Sequence, residues 1–303
     1  MSYLKLIRYQ NLLFIALVQV LIKYGLFNPL NIETNLNSLH FTLLVIATIS
    51  LAAAGYIIND IYDVTIDSIN QPTRVIVGKK ITETTANRLF IILNVLGVGI
   101  GFYLANSIEK PVFAAIFVVI SASLYLYASY LKGVLLLGNL VISALVAMSL
   151  LIVPIFDLLP VINTYNQEAL SAVFKIVLHF SCFAFGINFI REIIKDLQDI
   201  NGDKNGGLNT LPIVLGRKRT TNIAFLLGVL LVFSVVYYMY VFLYTNQILL
   251  LYFLFAIVGP LLYFSLKCYD AETKKEYGLL SKLLKIIMFL GICAIPLFGL
   301  LNF

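Results

Sequence analysis

Nine stretches of mostly apolar residues run along the chain, at about 10–27, 39–61, 84–106, 111–130, 134–156, 169–190, 222–244, 247–267 and 280–301. Polar residues gather between them. Roughly 20 apolar residues wound as a helix match the hydrocarbon thickness of a bilayer. A helix, unlike a lone strand, satisfies its own backbone groups in lipid. The pattern therefore predicts an all-α, polytopic membrane bundle of nine transmembrane helices. The boundary between the fourth and fifth is the least defined, because only LKGVLLLG separates them. With no short-period repeat and no low-complexity tract, residues 1–303 are expected to form one intramembrane domain. The start, MSYLKLIRYQ before an apolar run, superficially resembles a signal peptide. No small-residue cleavage site follows, so it is expected to be a retained first helix.

Composition supports the same class. The chain is 61% hydrophobic and 12% charged, with mean hydropathy +0.97, against roughly 25% charged in a soluble domain. Cys182, Cys268 and Cys293 lie far apart and suggest neither a disulfide framework nor a metal finger. The net charge of +6 is better explained by membrane topology than by nucleic acid. Lys5 and Arg8, Arg74, Lys79, Lys80 and Arg88, and Lys132 all fall on the side of the N-terminus. So do Arg191, Lys195, Lys204 and 217–219, and Lys267, Lys274, Lys275, Lys282 and Lys285. Only Lys23, Lys110 and Lys175 lie nearer the other side. The positive-inside bias puts the N-terminus in the cytoplasm and the C-terminus outside. A multi-pass protein of the cell (inner) membrane is expected, with its polar loops, about 62–83 and 191–221, facing the cytoplasm.

Those loops carry the candidate chemistry. In NDIYDVTIDSINQPTR (59–74), Asp60, Asp63 and Asp67 stand at i, i+3 and i+7, one face of a helix. In REIIKDLQDINGDKNGG (191–207), Asp196, Asp199 and Asp203 repeat that spacing, again directly after an apolar span. These stripes hold six of the fifteen acidic residues. One such stripe is usually a solvated helix end; two that match point to a site. Carboxylates at one-turn spacing suit hard cations, and Mg²⁺ takes one or two carboxylates plus substrate phosphate oxygens. Six carboxylates and a diphosphate exceed the charge of two Mg²⁺ by about five units. A third ion or nearby cations must offset that remainder, and Arg74, Arg191, Lys195 and Lys132 are the candidates. Asn59 is placed to ligate or to orient a carboxylate. Gly202, Gly206 and Gly207 read as a flexible turn ending a helix. His40 falls on the outer side and His179 within a span, so neither is a catalytic candidate. A cation transporter is the reading from another class, but transporters hold such acids near the midplane, often on broken helices.

Asn59-Asp60-x-x-Asp63-x-x-x-Asp67 resembles the first aspartate-rich motif of UbiA-type intramembrane prenyltransferases, and Asp196-x-x-Asp199-x-x-x-Asp203 is similar to their second. The order of the motifs and the nine spans agree over essentially the whole chain. The resemblance implies a bundle around a central, lipid-open cavity. There Mg²⁺ bridges the aspartates to an allylic prenyl diphosphate, which ionises and is captured by a lipid or aromatic acceptor. By the family pattern, Asn11, Lys132 and Asn139 would line the cavity or its phosphate-binding mouth. IRYQN, LYASYLKG…GN and REIIKDLQDINGDKNGGLNTLPIVLGRKR are most similar to the members that prenylate geranylgeranylglyceryl phosphate. The string RVIVGKKIT departs from that group, which more usually has a second proline after the arginine and a serine before the glycine. An acceptor such as 4-hydroxybenzoate or another quinone precursor is the alternative.

Overall fold

The computed structural model describes residues 2–73 and 75–301. Among them, nine helices are long and apolar enough to cross a membrane: α1 (Tyr9–Phe27), α2 (Ser38–Tyr62), α3 (Glu83–Ser107), α4 (Pro111–Ser129), α5 (Leu137–Val161), α6 (Gln167–Asn205), α7 (Arg217–Leu243), α8 (Gln247–Tyr269) and α9 (Lys274–Leu300). Several begin at side-chain caps that satisfy orphan N–H groups. Asn37 caps α2, Thr82 caps α3 and Asn246 caps α8. Thr273 and Glu276 form a reciprocal capping box on α9.

Two expectations are corrected. The sixth helix does not stop near residue 190 but runs 39 residues, to Asn205, a length of ~58 Å. Ile190, Ile193, Ile194 and Leu197 are buried at helical spacing, so a segment that reads as a polar loop is an amphipathic helix. A second short helix, Leu211–Leu215, occupies more of that stretch. The first acidic stripe, in turn, does not lie on one unbroken helix. Helix α2 ends at Tyr62, Asp63 takes φ −88° and ψ 2°, and a short helix, Val64–Asn70, follows. Backbone bonds bridge the bend: Asp63 N–H donates to Asn59 at 2.9 Å and Asp67 N–H to Asp63 at 2.8 Å. The carboxylates still follow one another turn by turn.

The helices pack in chain order as a ring, each against the next, and α1 closes it by meeting both α2 and α9. At the closing seam a Cβ on Gly299 would fall on the carbonyl oxygen of Gly25, so glycine there lets the two backbones touch. Helix α6 also packs across the ring on α9. One end of the bundle gathers the N-terminal segment and the α2–α3, α4–α5, α6–α7 and α8–α9 junctions. Asn209 N–H bonds Gly133 O at 3.1 Å, and Lys274 Nζ bonds Asn70 O at 2.8 Å. Leu6, Ile57, Val77, Ile81 and Ala86 form a small apolar cluster there that seats the short helix Ser2–Leu6 and the loop before α3.

At the other end, Lys23 and Asp157 are buried as a pair. Lys23 Nζ lies 2.8 and 3.0 Å from the two carboxylate oxygens and 2.7 Å from Leu36 O. Leu36 N–H donates to the same carboxylate at 2.8 Å.

Candidate active site

Both acidic stripes lie at the end where the even-numbered junctions meet, and the short helix Val64–Asn70 packs on α6 to bring them side by side. Asn70 is the strut. Its amide donates to Asp199 O at 2.9 Å and accepts from Gly202 N–H at 2.9 Å. Gly202 lies in the last helical turn of α6, which Gly206 caps, and a Cβ there would collide with the Asn70 side chain. Gly206 is crowded in the same way by Ile66.

Each stripe is held by polar partners. Lys132, in the turn between α4 and α5, forms an ion pair with Asp63. The same Asp63 oxygen accepts from the Asn59 amide at 2.6 Å. Arg8 Nη2 pairs with Asp60 Oδ1 at 2.8 Å, and its guanidinium lies 4.9 Å from the Tyr56 ring centroid. Arg8 sits in the left-handed region at φ 50°, ψ 53°, a strained backbone for a long side chain, where the short helix Ser2–Leu6 gives way to α1. On the second stripe, Asn139 Nδ2 donates to Asp196 Oδ2 at 2.9 Å. Behind it, Ser143 Oγ donates to Asn139 O at 2.6 Å and accepts from Asn188 at 3.3 Å. Asp63 and Asp203 are both buried. Asp63, Lys132, Tyr62, Thr65, Gly206 and Leu208 line a cleft of about 190 Å³.

The electrostatics follow from this crowding. Burial, then the negative charge of Asp63, pushes the Asp67 carboxyl up to about 6, with Lys132 acting against both. Burial alone would lower the Lys132 ammonium. The charge of Asp63, its hydrogen bond, and the charges of Asp203 and Asp67 outweigh it and raise the group above its ordinary value. Lys132 is therefore a fixed positive charge at neutral pH.

Of the residues predicted from sequence, Asn59, Asp60, Asp63, Asp67, Lys132, Asn139, Asp196, Asp199 and Asp203 come together at this end. Arg191 and Lys195 both turn to Glu192, at 3.3 and 3.0 Å, rather than to a carboxylate of the stripes. Asn11 accepts from Lys285 at 2.8 Å. Arg74 lies outside the described residues. His179 packs edge-on to Tyr238 and tilted against Phe242, and His40 is in the first turn of α2 at the far end. Sequence reasoning missed Arg8, Asn70 and Glu192. Arg8 reads as one more flanking charge, Asn70 stands one turn beyond the stripe, and Glu192 is hidden between two cations.

Among the described residues, no three His, Cys, Asp or Glu side chains are grouped closely enough to hold a metal ion as placed. The stripes' oxygens are turned to Arg8, Lys132 and Asn139 instead. The donor chemistry nonetheless suits a hard cation. The set is all oxygen, and Asp199 Oδ1 and Asn59 Oδ1 are buried with no hydrogen-bond partner. Such atoms are costly unless something meets them.

A sequence model described as the UbiA prenyltransferase family matches residues 12–291. The digeranylgeranylglyceryl phosphate synthase of Korarchaeum cryptofilum (strain OPF8) is 32% identical over 243 residues, which is 79% of this chain and 78% of that one. A solved digeranylgeranylglyceryl phosphate synthase superposes with a TM-score of 0.66 at 26% identity, covering 99% of this chain and 98% of the other. A UbiA homologue from Archaeoglobus fulgidus, bound to DMAPP and Mg²⁺, shares the fold at a TM-score of 0.60 and 18% identity, over 97% of this chain and 99% of that one. Paired aspartate stripes at one end of a nine-helix ring, together with the match over 12–291, give one assignment: the chain belongs to the UbiA prenyltransferase family.

Proposed function

We propose that this protein transfers a prenyl group from an allylic prenyl diphosphate, geranylgeranyl diphosphate, to a glyceryl phosphate lipid, geranylgeranylglyceryl phosphate. The observation that carries the reading is the pairing of the two stripes by the Asn70 strut, with Lys132 in an ion pair beside them. Support for the acceptor comes from the relatives named as digeranylgeranylglyceryl phosphate synthases.

In this reading Asp60, Asp63, Asp67, Asp196, Asp199 and Asp203, with Asn59 beside them, hold Mg²⁺. When bound, the cation neutralises the diphosphate and makes it a better leaving group. Lys132 gives up Asp63 to contact the diphosphate and stabilises charge that grows as the allylic C–O bond breaks. Arg74 is assigned to the same task. Asn139 orients Asp196. The apolar interior of the ring, open to lipid, houses the prenyl tail and keeps water from the carbocation. The acceptor hydroxyl oxygen then forms the new C–O bond, and its proton is lost into the carboxylate-rich mouth.

Residues 1–303 act as one intramembrane domain. The stripes face the cytoplasm in the cell membrane, because the basic junctions lie at their end of the bundle. Reporter fusions at residue 303 and in the α2–α3 junction test this orientation: an external C-terminus and an internal junction are expected.

The acceptor is tested by incubating membranes with labelled geranylgeranyl diphosphate, Mg²⁺ and either geranylgeranylglyceryl phosphate or 4-hydroxybenzoate. Product with the glyceryl phosphate is expected. Product with the aromatic acid alone would overturn the acceptor assignment and leave the prenyltransferase reading standing.

A further inference from the structure

Directly before the second acidic stripe, two cations of α6 gather on one carboxylate. Lys195 Nζ donates to both oxygens of Glu192 at 3.0 Å, and Arg191 Nη1 donates to one of them at 3.3 Å. Glu192 is buried, 6% exposed. Arg191 keeps a further donor, Nε, buried without a partner. Across the ring on α9, Lys285 lies within electrostatic reach of Arg191. Among the described residues it has no carboxylate partner. Its Nζ donates to Asn11 Oδ1 at 2.8 Å and lies 5.0 Å from the Phe14 ring centroid. Arg8, whose charge also reaches Glu192, is already matched by Asp60. Arg191 and Lys195 thus share one carboxylate, and Lys285 adds a third cation whose hydrogen-bond partner is a neutral amide.

An apolar groove begins beside this cluster. One turn along α9 from Lys285, Phe289 meets Phe14 edge-on, with ring centroids 5.6 Å apart. Together with Leu13, Leu17 and Gln10 they line a shallow groove of about 280 Å³ between α1 and α9.

We infer that Arg191, Lys195 and Lys285 form a binding site for a phosphate monoester headgroup, that of the acceptor lipid, whose apolar chain lies along the α1–α9 groove. The inference rests on the proposed glyceryl phosphate acceptor. A phosphate monoester carries about −1.5 to −2 charges at neutral pH, which suits a cluster of Arg191, Lys195 and Lys285. The guanidinium of Arg191 offers a planar fork whose Nε is free to donate. The donor diphosphate belongs elsewhere, among carboxylates whose sign demands metal ions. The two anionic heads are then held by opposite means, one by cations of the chain and one by metal-bound carboxylates. On α6, Arg191 precedes Asp196 and Lys195 precedes Asp199 by a little over one turn, ~6–8 Å, on the order of the length of a glycerol unit. An acceptor phosphate anchored there presents its free hydroxyl toward the prenyl C1.

The test uses the full chain in detergent and measures the affinity of geranylgeranylglyceryl phosphate, its dephosphorylated alcohol and inorganic phosphate. EDTA is present, so that metal-dependent binding of a diphosphate is suppressed. The wild type is expected to bind the phosphorylated lipid at least tenfold more tightly than the alcohol. Lys285→Gln should erase most of that difference, and Lys285→Arg should restore it, which separates lost charge from a damaged fold. In turnover with Mg²⁺, Lys285→Gln should raise KM for the lipid acceptor tenfold or more and leave KM for the prenyl diphosphate in place. Equal binding of phosphorylated lipid by wild type and Lys285→Gln would overturn the site, as would a rise confined to the KM for the prenyl diphosphate. Inorganic phosphate competing as strongly as the lipid would make free phosphate the ligand and overturn the lipid assignment. Tight, Lys285-dependent binding of the phospholipid without turnover of it would instead remove the acceptor reading and keep an anionic headgroup site.

Discussion

Lys132 shows how much chemistry one side chain can concentrate. It is an ordinary flanking cation by sequence, yet it forms an ion pair with Asp63 and feels the charges of Asp203 and Asp67, so it touches both stripes electrostatically. Removing it leaves Asp63 buried with only the Asn59 amide and, in the proposed reaction, takes away a charge that stabilises the leaving group. Loss of one such donor costs about 10²–10³ in rate. Lys132→Gln is expected to lower kcat/KM for prenyl transfer by about 100-fold while the protein still inserts and elutes as a folded species; a loss under threefold would remove Lys132 from the reaction. Asp199 gives a sharper case. Its Oδ1 is buried without a partner while Gln71 hydrogen-bonds the carboxylate, so Asp199→Ala trades that bond for relief of an unsatisfied buried atom and removes one expected metal ligand. Transfer should become undetectable with thermal stability nearly intact, and wild-type turnover by this variant would contradict the metal site.

At the level of elements, the question is what keeps two stripes from separate helices in register. The bend at Asp63 frees the short helix Val64–Asn70 to turn onto α6, and Asn70 fastens it by two bonds to the α6 backbone. Gly202→Ala would drive a methyl group into the Asn70 amide. It should depress activity and Mg²⁺ affinity together. Asn70→Ala loses the two bonds, each worth about 1 kcal/mol, and should do the same to a smaller degree. In the double variant the clash is gone, so its loss should be less than the sum of the singles; strict additivity would mean that Gly202 matters for some other reason. This strut also marks the limit of what the sequence discloses. The nine spans were legible because hydrophobic length is a one-dimensional property, and the stripes because their spacing repeats. The continuation of α6 past residue 190 was obscured because its buried face, Ile190, Ile193, Ile194 and Leu197, is interleaved with charges. Pairings such as Arg8 with Asp60 or Asn70 with Gly202 join residues 52 and 132 positions apart, and no local pattern announces them.

For the whole molecule, the ring must hold its two ends differently. The end opposite the stripes is pinned by Lys23, Asp157 and Leu36, a buried ion pair with its hydrogen bonds satisfied. Asp157→Asn leaves Lys23 buried and unmatched, which costs about 3–5 kcal/mol, and should lower thermal stability without changing either KM. The stripe end is fastened by the Asn70 strut, and it carries carboxylates that repel one another, Asp67 against Asp63 and Asp203 against Asp199 and Asp63. Metal ions bound between the stripes would tie α2 to α6 and remove that repulsion, so binding and stability are linked. A ligand at 100 times its Kd adds about 2.7 kcal/mol. The melting temperature in detergent should therefore rise by several degrees between EDTA and saturating Mg²⁺, and rise further when a prenyl diphosphate is added. NaCl at equal ionic strength should give little of this gain, because screening is not ligation. Asp63→Asn combined with Asp199→Asn should abolish the Mg²⁺ increment, and it should lower the EDTA baseline, since Lys132 loses its carboxylate partner. An undiminished Mg²⁺ increment in that double variant would mean that the cation stabilises the bundle from somewhere other than the stripes, and the diphosphate site would have to be sought there.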